Sequence, residues 1–226
     1  MRPEQLLLGV CRSCHRPTPI LKPNRKHIAT AAFAGVWLVC IAFGLRALVR
    51  YEYRAGSVGV APDSWPAASR IARTNDRDTL VMLAHPLCPC TRASMNELAQ
   101  IMARTDGKLN AYVLFLKPHN SGADWDDTFL YRSATRIPGV TVLTDVDGEE
   151  AKRFGAETSG FTLVFDRDGK RIFSGGITGS RGHEGDNAGE SAIVSLVNAR
   201  PAVRSTSVFG CPLASRAKAS DTACPN

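Results

Sequence analysis

Leu80-Val81-Met82-Leu83-Ala84-His85-Pro86-Leu87-Cys88-Pro89-Cys90-Thr91 is the stretch on which the fold turns. Its first five residues are an unbroken apolar run of strand length, as a doubly covered strand requires. From Thr91 to Arg104 the period changes. Met95, Leu98, Ile101 and Met102 fall on one face of a helix, and Asp106-Gly107 ends it. Two thiols one residue apart therefore sit at a strand-to-helix junction. The uncapped N–H groups and positive dipole end of a helix start stabilise a thiolate, the reactive form of cysteine.

Downstream, the periods keep alternating. Residues 109–116 form a second apolar strand stopped by Lys117-Pro118. Residues 124–135 read as a helix, with Trp125 and Phe129 at i, i+4, closed by Ile137-Pro138-Gly139. Residues 140–143 form a third strand and 148–154 a short helix. Phe161–Phe165 and 171–173 flank the turn Asp166-Arg167-Asp168-Gly169, a hairpin signal. Residues 187–199 close the pattern as a helix, with Asn187 as cap and Glu190 three residues on. The order β-α-β-α-β-α-β-β-α predicts an α/β fold: a mixed central sheet with helices on both faces.

Upstream, residues 28–45 are 18 consecutive uncharged, mostly apolar residues. At about 1.5 Å per residue they span roughly 27 Å, close to the ~30 Å hydrocarbon core of a bilayer. Arg46 and Arg50 can snorkel, which extends the span to Val49. A cleaved signal peptide is the alternative, but the run is long for one, and no small-residue cleavage site follows it. The expected layout is a cytoplasmic segment 1–27, a transmembrane anchor 28–49, a linker 50–75, a folded domain 76–200 and a tail 201–226. The Lys/Arg bias favours the N-terminus inside. The domain then lies in the periplasm of a bacterium, anchored in the inner membrane by a single pass.

The net charge is +7, and nine of the 28 Lys/Arg, against two acids, lie in residues 1–56. The remainder is balanced at 19 basic and 19 acidic residues, so the basic excess points to a membrane and not to nucleic acid.

The element order and the Cys-bearing turn resemble the thioredoxin fold. Phe154-Gly155-Ala156, Phe161-Thr162-Leu163-Val164-Phe165 and Asp168-Gly169-Lys170 resemble membrane-anchored periplasmic thioredoxin-like proteins. A narrower group, the RedB proteins, is similar at residues 85–93, 154–160 and 174–187. Two departures stand out. Thioredoxins separate their paired cysteines by two residues, where Cys88 and Cys90 have one between them. They also carry a cis-proline where this chain has Gly160 and Phe161.

The resemblance implies a thiol–disulfide oxidoreductase acting on protein thiols or disulfides outside the cytoplasm, with no cofactor. A disulfide across one residue closes a small, strained ring, and strain makes a relatively oxidising couple. Cys88 is the expected attacking thiol, and Cys90, nearer the helix body, the less exposed resolving one. His85 and Arg92 are nearby cations that can lower the Cys88 pKa. Phe161 and Thr162 occupy the strand start that borders the thiols in that fold.

The principal alternative is a Cu(I)- or Zn(II)-binding metallochaperone using Cys88, Cys90, His85 and His183. A binding module without turnover is a third reading, favoured if Phe161 blocks the thiols. The glycine-rich loop 175–189, with Arg181, His183, Glu184 and Asp186, is either a substrate or metal contact or a solvated connection. Cys11 and Cys14 match a haem-attachment spacing but precede the anchor, where that attachment is not expected. Cys211 has two readings: a static disulfide with Cys224 that fastens the tail, or exchange with Cys88. The static pair is the expectation.

Overall fold

The computed structural model describes residues 24–125 and 127–213. Cys11, Cys14 and Cys224 lie outside them. The chain divides into two units, residues 1–46 and 47–226. Helix α1 (Arg25–Glu52) has a mean hydropathy of 2.2 over its most apolar window, is 28 residues long, and is long and apolar enough to cross a membrane.

The larger unit holds strands β1 (Asp78–Ala84), β2 (Leu109–Lys117), β3 (Val140–Val146), β4 (Phe161–Phe165) and β5 (Arg171–Gly175). Its helices are α2 (Thr91–Arg104), α3 (Phe129–Ala134), α4 (Glu149–Arg153) and α5 (Ala188–Val197). The sheet order is β3-β2-β1-β4-β5. β1 pairs parallel with β2, which pairs parallel with β3; β4 runs antiparallel between β1 and β5. Two parallel crossovers followed by an antiparallel hairpin form the mixed central sheet that the periods predict, with the thioredoxin-like topology that the resemblance implies.

Side-chain alternation divides the core in two. Leu80, Met82 and Ala84 of β1 face a cluster with Met95, Leu98 and Ile101 of α2, Leu130 and Ala134 of α3, and Ala192 and Ile193 of α5. Val81 and Leu83 face the other cluster, with Phe161, Leu163 and Phe165 of β4 and Ala151 and Phe154 around α4. The second cluster is closed largely by chain without regular structure: Trp65, Ile71, Val208 and Leu213. Trp65 meets Phe154 and Phe165 edge-on, at 5.3 and 5.2 Å between ring centres.

This packing changes the picture of the stretch read as a linker. Gly56 N–H donates to Val208 O, Trp65 N–H donates to Gly169 O, and Ile71 is buried. An apolar residue every few positions, at Trp65 and Ile71, gives an irregular segment something to bury; composition rich in Gly and Pro does not prevent that. The tail behaves likewise as far as it is described: residues 205–213 lie against β5 and the 157–159 loop.

The helix expected over 124–135 is shorter. It begins at Phe129, capped by the Thr128 hydroxyl, which accepts from Tyr131 N–H at 3.3 Å. Trp125 is held outside it: its indole N–H donates to Leu116 O at 3.0 Å, and its ring meets His85 edge-on. The last helix starts as expected, with Asn187 Oδ1 accepting from Glu190 N–H at 2.8 Å.

Candidate functional site

The thiol turn leaves β1 through His85-Pro86 and closes on itself before α2. Cys88 N–H donates to His85 O and Thr91 N–H to Cys88 O, both at 3.1 Å. Cys90 occupies the N-cap of α2 in helical conformation and makes no side-chain cap bond. The helix therefore opens directly at the thiols.

The exposures are the reverse of the expectation. Cys88 is 0% exposed, whereas Cys90 is only partly buried. The cause is a cover that the spacing of the cysteines does not reveal. Residues 210–213 run across the turn, held to the 157–159 loop by Ser159 N–H donating to Cys211 O and Leu213 N–H donating to Glu157 O, each at 2.8 Å. Thr158 and Pro212 form an antiparallel bridge. Ser159 ties this cover to both ends of the thiol turn: its Oγ accepts from His85 N–H at 2.8 Å and shares a 2.7 Å hydrogen bond with the Thr91 hydroxyl.

Cys211 thereby becomes a neighbour of Cys88. The Cys88 sulfur receives the Cys211 thiol, the Cys90 thiol, the Thr91 hydroxyl and the Cys211 main-chain N–H. These donors hold the Cys88 thiol far below its ordinary range despite burial. The Cys90 thiol is pushed up, chiefly because its proton is engaged by the Cys88 sulfur, with burial adding to it. Arg181 works against that rise.

Arg181, not Arg92, is the cation at the thiols. Its Nη1 donates to Gly210 O at 2.7 Å, its main-chain N–H donates to Glu52 O, and its guanidinium stacks over Tyr51 at 5.2 Å. Arg92 instead lies over the Phe129 ring at 5.6 Å. These two residues, with Pro86, Leu87, Cys88 and Pro89, line a shallow apolar groove of about 250 Å³ beside the turn. His85 is not a cation either. Burial lowers its pKa, and its Nδ1 accepts from Leu87 N–H at 3.2 Å, so the ring is neutral at neutral pH.

Phe161 is buried in the second core cluster, and the Thr162 hydroxyl donates back to Gly160 O at 3.1 Å. Gly160 has φ +87° and lies close to Ser94, conditions that favour glycine. His183 is exposed on a loop pinned to α2, where Glu97 accepts from Gly185 N–H and Asn96 donates to Glu184. The set Cys88, Cys90, His85 and His183 is not assembled. Among the described residues no group of three or more His, Cys, Asp or Glu side chains is placed to hold a metal ion.

Three features of the site escape the sequence reading, namely the burial of Cys88, the Ser159–Thr91 bridge and the role of Arg181, whereas Cys211 beside Cys88 matches the less favoured of its two readings. Ser159 and Arg181 both fall in segments singled out in the sequence, 154–160 and 174–187, which is the signal that was present.

No protein-family model matches the chain, and no curated protein does. Solved structures do. An uncharacterized conserved protein from Geobacillus kaustophilus is 18% identical, covering 74% of this chain and 95% of its own, with a TM-score of 0.52. A hypothetical protein from Sinorhizobium meliloti 1021 is 14% identical over 72% of this chain and 97% of its own, TM-score 0.51. The exposed lipoprotein thioredoxin Etrx1 from Streptococcus pneumoniae is 16% identical over 55% and 86%, TM-score 0.42. At these identities the likeness is one of fold. The domain has a thioredoxin-like fold, preceded by one apolar helix long enough to serve as a membrane anchor.

Proposed function

We propose that this chain is a membrane-anchored thiol–disulfide oxidoreductase whose working couple is Cys88 and Cys90. Its domain faces the periplasm, and its partners are protein thiols. One observation carries the reading: two sulfurs in mutual contact at the opening of α2, one partly exposed and the other buried among hydrogen-bond donors.

That asymmetry sets the roles. A partner thiolate can approach only the exposed sulfur of a Cys88–Cys90 disulfide, which is that of Cys90. Attack there forms a partner–Cys90 disulfide and expels Cys88 as a thiolate. A leaving group leaves faster the lower its pKa, and the donors around Cys88 supply that condition. The partner's second thiol then attacks its own sulfur in the mixed disulfide and releases Cys90. The partner has lost two electrons and two protons, and the Cys88/Cys90 pair has gained them. Stabilising the reduced form in this way makes the couple oxidising. Cys90 is thus the residue that meets the partner, and Cys88 the internal one, the reverse of the assignment from spacing alone.

The test uses the full-length chain in detergent micelles, equilibrated with glutathione redox buffers. The expected potential lies above roughly −200 mV, with oxidation of a dithiol peptide lost in both Cys88→Ser and Cys90→Ser. In Cys88→Ser a glutathione adduct should collect on Cys90. Stoichiometric Cu(I) binding with no thiol exchange would overturn the reading in favour of a metallochaperone.

A further inference from the structure

We propose that Cys211 is a third redox thiol, sharing Cys88 with Cys90, so that the oxidised protein interconverts between a Cys88–Cys90 and a Cys88–Cys211 disulfide. The proposal rests on the oxidoreductase reading above and adds a regulatory element to that site.

The argument begins with how firmly Cys211 is held. Its carbonyl accepts from Ser159 N–H at 2.8 Å, its neighbour Gly210 accepts from Arg181 Nη1 at 2.7 Å, and its neighbour Pro212 is bridged to Thr158. Gly210 packs so closely that an added Cβ would lie 2.0 Å from Ser159 O. Ser159 in turn bonds His85 N–H and the Thr91 hydroxyl, at the two ends of the thiol turn. Cys211 and Cys88 are therefore fixed to one another through a single serine, not brought together by chance in a loose tail. The Cys211 thiol and main-chain N–H both address the Cys88 sulfur. Cys88 has Cys90 as a sulfur neighbour as well, so it is the common member of two pairs.

The exchange is balanced without any outside reagent. The Cys211 thiol gives up its proton to solvent, and its thiolate attacks the Cys88 sulfur. The S–S bond between Cys88 and Cys90 breaks as that between Cys211 and Cys88 forms. Cys90 leaves as a thiolate and takes up a proton. No electrons enter or leave. The consequence is functional: in the second isomer the residues 210–213 are bonded to the thiol turn, and Cys90, the residue that meets partners, is a thiol and not half of a disulfide. The protein then holds its oxidising equivalent out of reach of partner thiolates.

Peptide mapping of the full-length chain in detergent micelles, oxidised with glutathione disulfide, blocked with iodoacetamide and cut with trypsin, distinguishes the isomers. Cys88 and Cys90 fall in one peptide, Asp78 to Arg92, and Cys211 falls in another, Ser205 to Arg216. Wild type is expected to yield both the internally oxidised 78–92 peptide and the 78–92/205–216 cross-link. Cys90→Ser should retain the cross-link as its main disulfide, and Cys211→Ser should retain only the internal one. A wild-type and Cys90→Ser protein that give no 88–211 cross-link, or that link Cys211 only to Cys224, would overturn this proposal while leaving the oxidoreductase standing. Wild type that forms neither disulfide would remove both.

Discussion

The two faces of the sheet are closed by different means. On one, three helices lay a periodic apolar stripe over β1, and the core is of the kind that local sequence specifies. On the other, only the five-residue α4 is helical, and the rest of the cover is irregular chain from before β1 and after α5, with Trp65, Ile71, Val208 and Leu213 as its apolar anchors. The difference teaches where function is built. The helical face supplies rigidity; the irregular face supplies the cover of the thiols, Ser159, Arg181 and Cys211. Ordered irregular segments over a rigid sheet are the usual carriers of chemistry.

That contrast can be broken by mutation. Phe165 is wholly buried beneath the irregular cover, so Phe165→Ala is expected to cost about 4 kcal/mol of unfolding free energy. Trp65 packs on it but is partly exposed, and Trp65→Ala should cost about 2 kcal/mol, less than a fully buried aromatic. Chemical denaturation of the full-length chain in micelles measures both. A Trp65→Ala loss below about 0.5 kcal/mol, the size of an ordinary surface change, would return residues 50–75 to the status of a tether.

A smaller effect tests whether the cover shields the thiol. Gly210→Ala sets a methyl group 2.0 Å from Ser159 O, so the segment must lift. Alkylation of Cys88 in the reduced protein should accelerate about tenfold, equivalent to ~1.4 kcal/mol in the opening equilibrium. An unchanged rate would mean that something other than residues 210–213 keeps Cys88 buried.

The subtlest effect is in pH. The Cys88 thiol titrates well below its ordinary 9.0 in the folded protein, so its contribution to the stability of the reduced form is complete above that value. It is lost as pH falls toward the folded pKa. Cys90 is displaced upward, and its contribution is lost as pH rises above the ordinary value. The melting temperature of the reduced protein, taken relative to Cys88→Ser, should therefore keep climbing as pH rises toward 9.0 and stop climbing only above it. A flat difference would show that Cys88 carries no stabilised thiolate.

Much of this was legible in the sequence. Leu80 to Ala84 reads as a buried strand because both its faces are covered, and Asn187 with Glu190 announces the start of α5 because capping is a local bond. What local pattern could not show depends on contacts across long separations. Thr91 is tied to Ser159, 68 positions on, and Cys88 is buried because residues more than a hundred positions away lie over it. The alternation of periods fixes which elements exist; it carries no information about which loop ends over which turn.

The cover over Cys88 also has a place in time. Residue 211 follows the last residue of β5 by 36 positions, so at roughly 5–20 residues per second a growing chain has its five strands available about 2–7 s before residue 211 is made. Through that interval the first two sulfurs meet their surroundings without the third. Of the three sulfurs around the turn, Cys88 and Cys90 are therefore in place before Cys211 exists, so a bond made between them in that interval is what any later pairing with Cys211 would have to rearrange.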